Sequence, residues 1–190
     1  QEACTRVREG DLPTQSIGVL KEKPLHATLK WWLDDNPAHH EIPLPCGKVA
    51  DIYDGTTVTE VQTGSFTPLR KKLEVLLPDY PVTVVHPLVR VKWVSWIDPA
   101  TGESQPRRRI AGISTVFGGA HELVYISEAL ATGRVAVWFL FIEEEEYRFL
   151  DGRGKDRKIK SSRFERLPVD ILDEAVFAEK SDFLALIPEG

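Results

Sequence analysis

Methionine is absent from this chain, and cysteine nearly so, with only Cys4 and Cys46. Two thiols cannot build a disulfide framework or a four-ligand zinc site, so a reducing, cytoplasmic setting is the natural reading. With no Met, the initiator residue is expected to have been removed or to lie outside this sequence. No window approaches ~18 uninterrupted apolar residues, so no membrane span is expected. The opening QEACTRVREGD has none of the apolar core that a signal peptide needs. There is no internal repeat and no low-complexity tract. Net charge is small: 24 basic against 29 acidic side chains leave −5. That speaks against a general polyanion binder while leaving local patches open.

What is present suits one α/β domain. Hydrophobic residues make up 42% of 190, enough to build a packed core. Residues 1–15 are polar and read as a flexible lead-in, 16–150 as the α/β domain, and 151–190 as a basic connector with a C-terminal helical segment. Between Ser16 and Leu33 the apolar residues recur at helical spacing, with Pro24 as a first-turn residue. Three short strands follow, HHEIPL (39–44), KVADIY (48–53) and TTVTEVQ (56–62). Pro45-Cys46-Gly47 fits a three-residue hairpin loop and Asp54-Gly55 a two-residue one. A helix then carries Phe66, Leu69, Leu73, Leu76 and Leu77 on one stripe. PVTVVHPL (81–88) reads as a strand buried on both faces, with a further strand over 89–97. Residues 103–118 read as loop, 121–130 as helix, 134–150 as a long strand and 170–185 as helix.

The turns set a register, and the register gathers acids. With Asp54-Gly55 as the loop, Tyr53 pairs with Thr56 and Asp51 with Val58. Asp51, Glu60 and Gln62 then share a face, with Glu60 the diagonal neighbour of Asp51 at ~7–8 Å. With Pro45-Cys46-Gly47 as the loop, Glu41 sits opposite Asp51; a two-residue loop there would flip it to the other face. Like charges crowded on a sheet repel, and hard oxygen donors at this density suit Mg²⁺ or Mn²⁺. The plain alternative is a solvated acidic face.

The order helix, HHEI, VADI, TEVQ, helix, strand resembles the core of the PD-(D/E)XK nuclease superfamily, most of all members with E-x-Q, such as competence-protein-like nucleases. The run Glu60–Pro87 is also similar to uncharacterised bacterial nuclease-like proteins. The likeness covers residues 24–90, and its weight comes from placement on successive strands. It implies a restriction-endonuclease-like αβββαβ core, with a mixed sheet flanked by helices and a C-terminal extension. It also implies metal-dependent hydrolysis of phosphodiester bonds in nucleic acid, expected to be DNA. Glu41, Asp51, Glu60 and Gln62 would be catalytic. Asp51 and Glu60 would hold Mg²⁺ or Mn²⁺ with the Val61 carbonyl and Glu41. Gln62 stands where Lys is commoner; it cannot supply positive charge, although its amide can orient water or a phosphate oxygen. A silent descendant that binds nucleic acid or a protein partner is the alternative, and a plain structural domain a third.

Basic residues supply candidate nucleic-acid contacts. Arg70, Lys71 and Lys72 are read as facing away from the helix stripe, where a solvated face is the bland explanation. Residues 153–166 hold seven cations against two acids. Within them Arg157, Lys158 and Lys160 suit a phosphate-contacting arm or a mere connector, and Glu143–Glu146 can pair with that stretch. Arg107–Arg109 fall in a loop. His39 shares the face of Glu41, and His86 reads as a hydrogen-bonded structural residue. The five tryptophans, Trp93 and Trp96 among them, are read as core. Oligomeric state and mode of cleavage are left open.

Overall fold

The computed structural model describes residues 23–110, 114–151 and 162–186. The fold is α/β, a mixed seven-stranded sheet flanked by helices. Helix α1 (Pro24–Leu33) begins at a proline, as its fixed φ allows. After a 3₁₀ turn come β1 (His40–Pro43), β2 (Val49–Tyr53) and β3 (Val58–Val61), then α2 (Thr67–Leu76) and β4 (Val82–Ile97). The remaining elements are β5 (Arg108–Ile110), α3 (Val116–Leu123), a 3₁₀ turn, α4 (Ser127–Ala131), β6 (Val135–Phe149), β7 (Ser162–Phe177) and a last 3₁₀ turn at Asp182–Leu186.

The strand order is β1-β2-β3-β4-β6-β7, with β5 also paired to β4. β4 lies between two parallel neighbours, β3 and β6, which accounts for its run of apolar residues. Leu25 and Leu29 of α1 pack on Val61, Val85, Leu140 and Ile142. Leu69, Leu73 and Leu76 of α2 pack with Val58, Val82 and Val84 in a second core on the opposite face. The sheet is thus covered from both sides near its centre. Among the described residues no helix is long and apolar enough to cross a membrane.

Pro87 sits inside β4, where a missing donor would usually break a ladder. The carbonyls of Pro81 and Val85 accept from the Val58 and Gln62 amides on the β3 side, so by alternation the missing N–H of Pro87 points there too. β3 has already ended opposite Val85, and no hydrogen bond is lost. The sheet edge therefore opens just beyond Val61.

Several sequence expectations are corrected. The strands expected over 81–88 and 89–97 are one, with a bulge between Val89 and Val91. The loop expected over 103–118 contains β5 and the start of α3, and the helix over 121–130 is broken by a 3₁₀ turn at Val124–Ile126. The helix over 170–185 is instead β7, an edge strand that tolerates Pro168. Three register shifts along the β6–β7 ladder break strict alternation, so Ile171 packs on the α1-side core and Ala175 on the α2-side core. The C-terminal segment is therefore part of the sheet. Among the described residues, the expected pairing of the Glu run is seen between Arg166 and Glu144 at 3.4 Å. The lead-in over 1–15 and most of the basic stretch, including Arg157, Lys158 and Lys160, lie outside the described residues.

α3 rests closely on the sheet. A Cβ at Gly119 would meet Phe139 at 2.8 Å and Leu88 at 3.0 Å, whereas one at Gly118 would meet nothing within 4 Å. Gly119→Ala is expected to destabilise by ~1–3 kcal/mol. Gly118→Ala should be neutral or add ~0.5–1 kcal/mol. Urea unfolding of both variants checks this, and equal effects would refute the close approach.

Candidate functional site

The β2–β3 connection decides how the acids meet. Asp54 Oδ1 accepts from the Thr56 and Thr57 amides, each at 2.8 Å, and from the Thr56 hydroxyl at 2.7 Å. Those amides are then lost to the ladder, and the loop becomes four residues, 54–57. Tyr53 pairs with Val58 and Ile52 with Thr59, not Tyr53 with Thr56. A shift of two preserves the face, and continuing the register sets Asp51 directly across from Glu60 rather than on its diagonal. The β1–β2 turn behaves as expected: the Leu44 amide donates to the Lys48 carbonyl at 2.7 Å, and Gly47 has φ +79°.

The ladder opens at this point. The Val61 amide, on the β3 side facing β2, donates to Asp51 Oδ2 at 2.8 Å. His26 of α1 meets the same oxygen through Nε2 at 3.2 Å. Burial opposes ionisation of Asp51, but the hydrogen bond and charge of His26, with the charge of Lys72, outweigh it. Its carboxyl is held below its ordinary value.

Glu60 is 4% exposed. Lys72 of α2 donates to its Oε2 at 2.5 Å. Its Oε1 is buried and has no hydrogen-bond partner among the described residues. Burial pushes this carboxyl up to about 7, the Asp51 charge adds to the rise, and Lys72 and then the nearby Asp51 backbone amide moderate it. Around neutrality the two acids therefore hold between one and two negative charges, with Asp51 the ionised member.

Other expected residues divide. Glu41 lies between the paired residues His40 and Ile42, opposite Asp51 by count. Its φ is +53°, rare for a residue with a side chain, and its carboxylate pairs with the buried Lys30 of α1. Gln62 Nε2 donates to the Ser65 carbonyl at 2.6 Å, and its backbone amide to Val85 at 2.8 Å. Its amide therefore fixes the turn between β3 and α2. Arg70 pairs with Glu74 and Glu128 on the surface, both at 3.2 Å, and Lys71 is exposed. His39 bonds Asp34 at 2.6 Å, outside the acid pair. His86 donates to the Gln62 carbonyl at 2.5 Å, and burial holds its pKa below the ordinary value. Glu122 of α3 accepts from the Phe66 amide at 2.8 Å, so a carboxylate already fills the α2 N-terminus.

The sequence reading placed Lys72 facing away, and the structure corrects this. Lys72 lies three residues after Leu69 and four before Leu76, about 60° from Leu69 around a 3.6-residue helix. A lysine on the border of an apolar stripe was the available signal. His26 and Lys30 were missed; they lie four apart on α1, so one helix face serves both Asp51 and Glu41.

Among the described residues, no group of three or more His, Cys, Asp and Glu side chains is arranged to hold a metal. Glu41, the third carboxylate expected there, pairs with Lys30. Two carboxylates and a strand carbonyl still suit Mg²⁺, which keeps several waters and is held by one or two carboxylates. The unpartnered Glu60 Oε1 is an oxygen of the required kind.

Glu60 makes stability depend on pH. Its folded value, about 7, exceeds the ordinary 4.5, so the native state binds the extra proton between them. Stability is highest below that window and falls as pH rises through it, by on the order of 3 kcal/mol. Asp51 acts oppositely: its contribution is present above its ordinary 3.8 and is lost as pH falls through its depressed folded value. Urea unfolding from pH 5 to 8 should show the decline in the wild type and not in Glu60→Gln. The same slope in both would show that Glu60 is not responsible.

No curated protein and no solved structure matches this sequence. Residues 23–178 match the family described as domain of unknown function (DUF8091), a span from α1 to the end of β7. The chain belongs to that family of unknown function.

Proposed function

We propose that the protein is a Mg²⁺- or Mn²⁺-dependent nuclease of the reducing cytoplasm that hydrolyses phosphodiester bonds, with DNA as the expected substrate. The observation that carries the reading is the buried, unpartnered Glu60 Oε1 next to Asp51. A buried acceptor left without a donor calls for a water or an ion. It is supported by the order α1, β1, β2, β3, α2, β4, the order that the PD-(D/E)XK resemblance implies.

Asp51 and Glu60, with the Val61 carbonyl, would hold the cation. When bound, a divalent ion lowers the pKa of a coordinated water and offsets charge on the phosphate. His26 and the Val61 amide orient Asp51. Lys72 brings to Glu60 the positive charge that Gln62 cannot supply. The ion must displace the proton that Glu60 retains near neutrality, so affinity for it rises with pH.

The second reading, a silent module that binds nucleic acid or a protein partner, is favoured by the pairing of Glu41 with Lys30, which leaves only two carboxylates. One experiment separates the two. Labelled single- and double-stranded DNA and RNA are incubated with Mg²⁺ or Mn²⁺ and wild type, Asp51→Asn, Glu60→Gln or Lys72→Ala. Wild-type cleavage is expected, abolished by chelator and reduced about 10²-fold or more in each variant. Undiminished cleavage by Asp51→Asn and Glu60→Gln would identify a contaminant. No cleavage by the wild type would reject the nuclease reading.

A further inference from the structure

Along β4, beyond the acid pair, the sheet carries a second group of residues. β5 pairs antiparallel with β4, setting Arg109 across from Trp93 and Arg108 across from Val94. The stretch expected to be a loop is thus an edge strand with three consecutive arginines on or beside it. Arg107 lies over the Trp93 ring at 4.5 Å and Arg108 over Trp96 at 5.9 Å. Trp93 is itself fixed, donating through Nε1 to Glu143 at 2.7 Å.

Alternation shows which side of the sheet these groups occupy. Before the bulge, Val82, Val84 and Leu88 face the α2-side core and Val85 the α1 side. Val89 pairs with Ile142 and Val91 with Glu143, with Arg90 the extra residue. Odd residues beyond it face the α2 side. Trp93 and its partner Arg109 therefore share the face of Glu60 and Lys72, as do Ser95 and Arg107 by the same count. Val84, opposite Glu60, and Trp93 are nine positions apart on β4. At ~3.3 Å per residue that is about 30 Å, close to one turn of duplex.

The charge on this edge is available. Arg107 is half exposed, and its acid, Glu145, lies at the 4.0 Å limit of an ion pair. Arg108 and Arg109 are exposed and make no ion pair among the described residues. Glu144 and Glu146, which could have quenched them, are turned inward and fully buried against Lys92, Arg148 and Arg166. An edge strand needs charge to resist aggregation, but one lysine would do. Three arginines, two of them over tryptophan rings, suit fork-like donation to phosphate oxygens.

We infer that Arg107, over the Trp93 ring, and Arg109, across the ladder from it, form a phosphate-binding edge that holds a nucleic-acid backbone at the end of the sheet beyond α3, on the side that Glu60 occupies. This rests on the nuclease reading for its substrate class, yet binding can be measured without cleavage. Fluorescence anisotropy of labelled single-stranded and duplex DNA is followed in EDTA from 50 to 300 mM salt. Each arginine that meets a phosphate contributes about 0.9 to the slope of log K against log salt for duplex, less for a single strand. Arg107→Ala/Arg109→Ala should bind more weakly and lower the slope by about 2. Arg109→Ala alone, which removes an exposed side chain and no ion pair, should lower it by about 1. Arg107→Lys/Arg109→Lys should keep most of the slope.

Variants that bind like the wild type at every salt concentration would overturn the proposal, as would a wild type with no salt-dependent binding. Displacement of DNA by polyglutamate at equal charge concentration would overturn it as well, by showing that phosphate is not selected. Cleavage that persists while the arginine variants bind normally would reject this edge and leave the nuclease reading standing. Arginine-dependent binding without cleavage would do the reverse.

Discussion

A carboxylate taken out of water must find positive charge, hydrogen-bond donors or a proton, because uncompensated ionisation costs several kcal/mol. The sheet beside β3 meets that constraint with all three at once. Asp51 takes hydrogen bonds from His26 and the Val61 amide and stays ionised. Glu60 takes Lys72 on one oxygen and retains its proton to about pH 7. The compensation comes from both helices, α1 through His26 and α2 through Lys72, so the pair can form only when both are docked on the sheet.

The same constraint operates at the other end of the sheet. Glu144 and Glu146 are completely buried on β6, and Lys92, Arg148 and Arg166 surround them. Buried charges need compensation, and loss of one member of such a network strands the others; Glu144 Oε1 has Lys92 at ion-pair distance but no hydrogen bond among the described residues. Here the network joins β4, β6 and β7 where their apolar alternation ends. It lets β4 and β6 run to 16 and 15 residues, well past the usual 5–6, and the extension carries β5 and its arginines.

Local chemistry was legible wherever one residue dominates its surroundings. Gly47 and Gly55 took the positive φ expected of hairpin glycines. Leu25, Leu29, Leu69 and Leu73 took the buried positions that their spacing requires. What misled was a side chain acting on the backbone: Asp54 captured two amides and lengthened a turn that Asp-Gly alone suggested would be tight. β7 misled differently, since its bulges distort the period-two pattern until it looks helical. Lys72 borders the apolar stripe of α2, so its stem lies along the helix–sheet seam while its ammonium reaches Glu60.

By itself the sequence determined the helices at Pro24 and Thr67, the hairpins and the two-sided burial of β4, because each follows from short-range sterics and apolar periodicity. Tertiary structure alone decided that Lys30 pairs with Glu41, that Lys72 turns toward Glu60, that Asp51 fills the gap where β2 and β3 separate, and that Arg107–Arg109 lie on a strand edge. These depend on which charged groups meet across elements distant in the chain. Such pairings are settled by burial and electrostatics once the sheet has closed, and no local pattern records them.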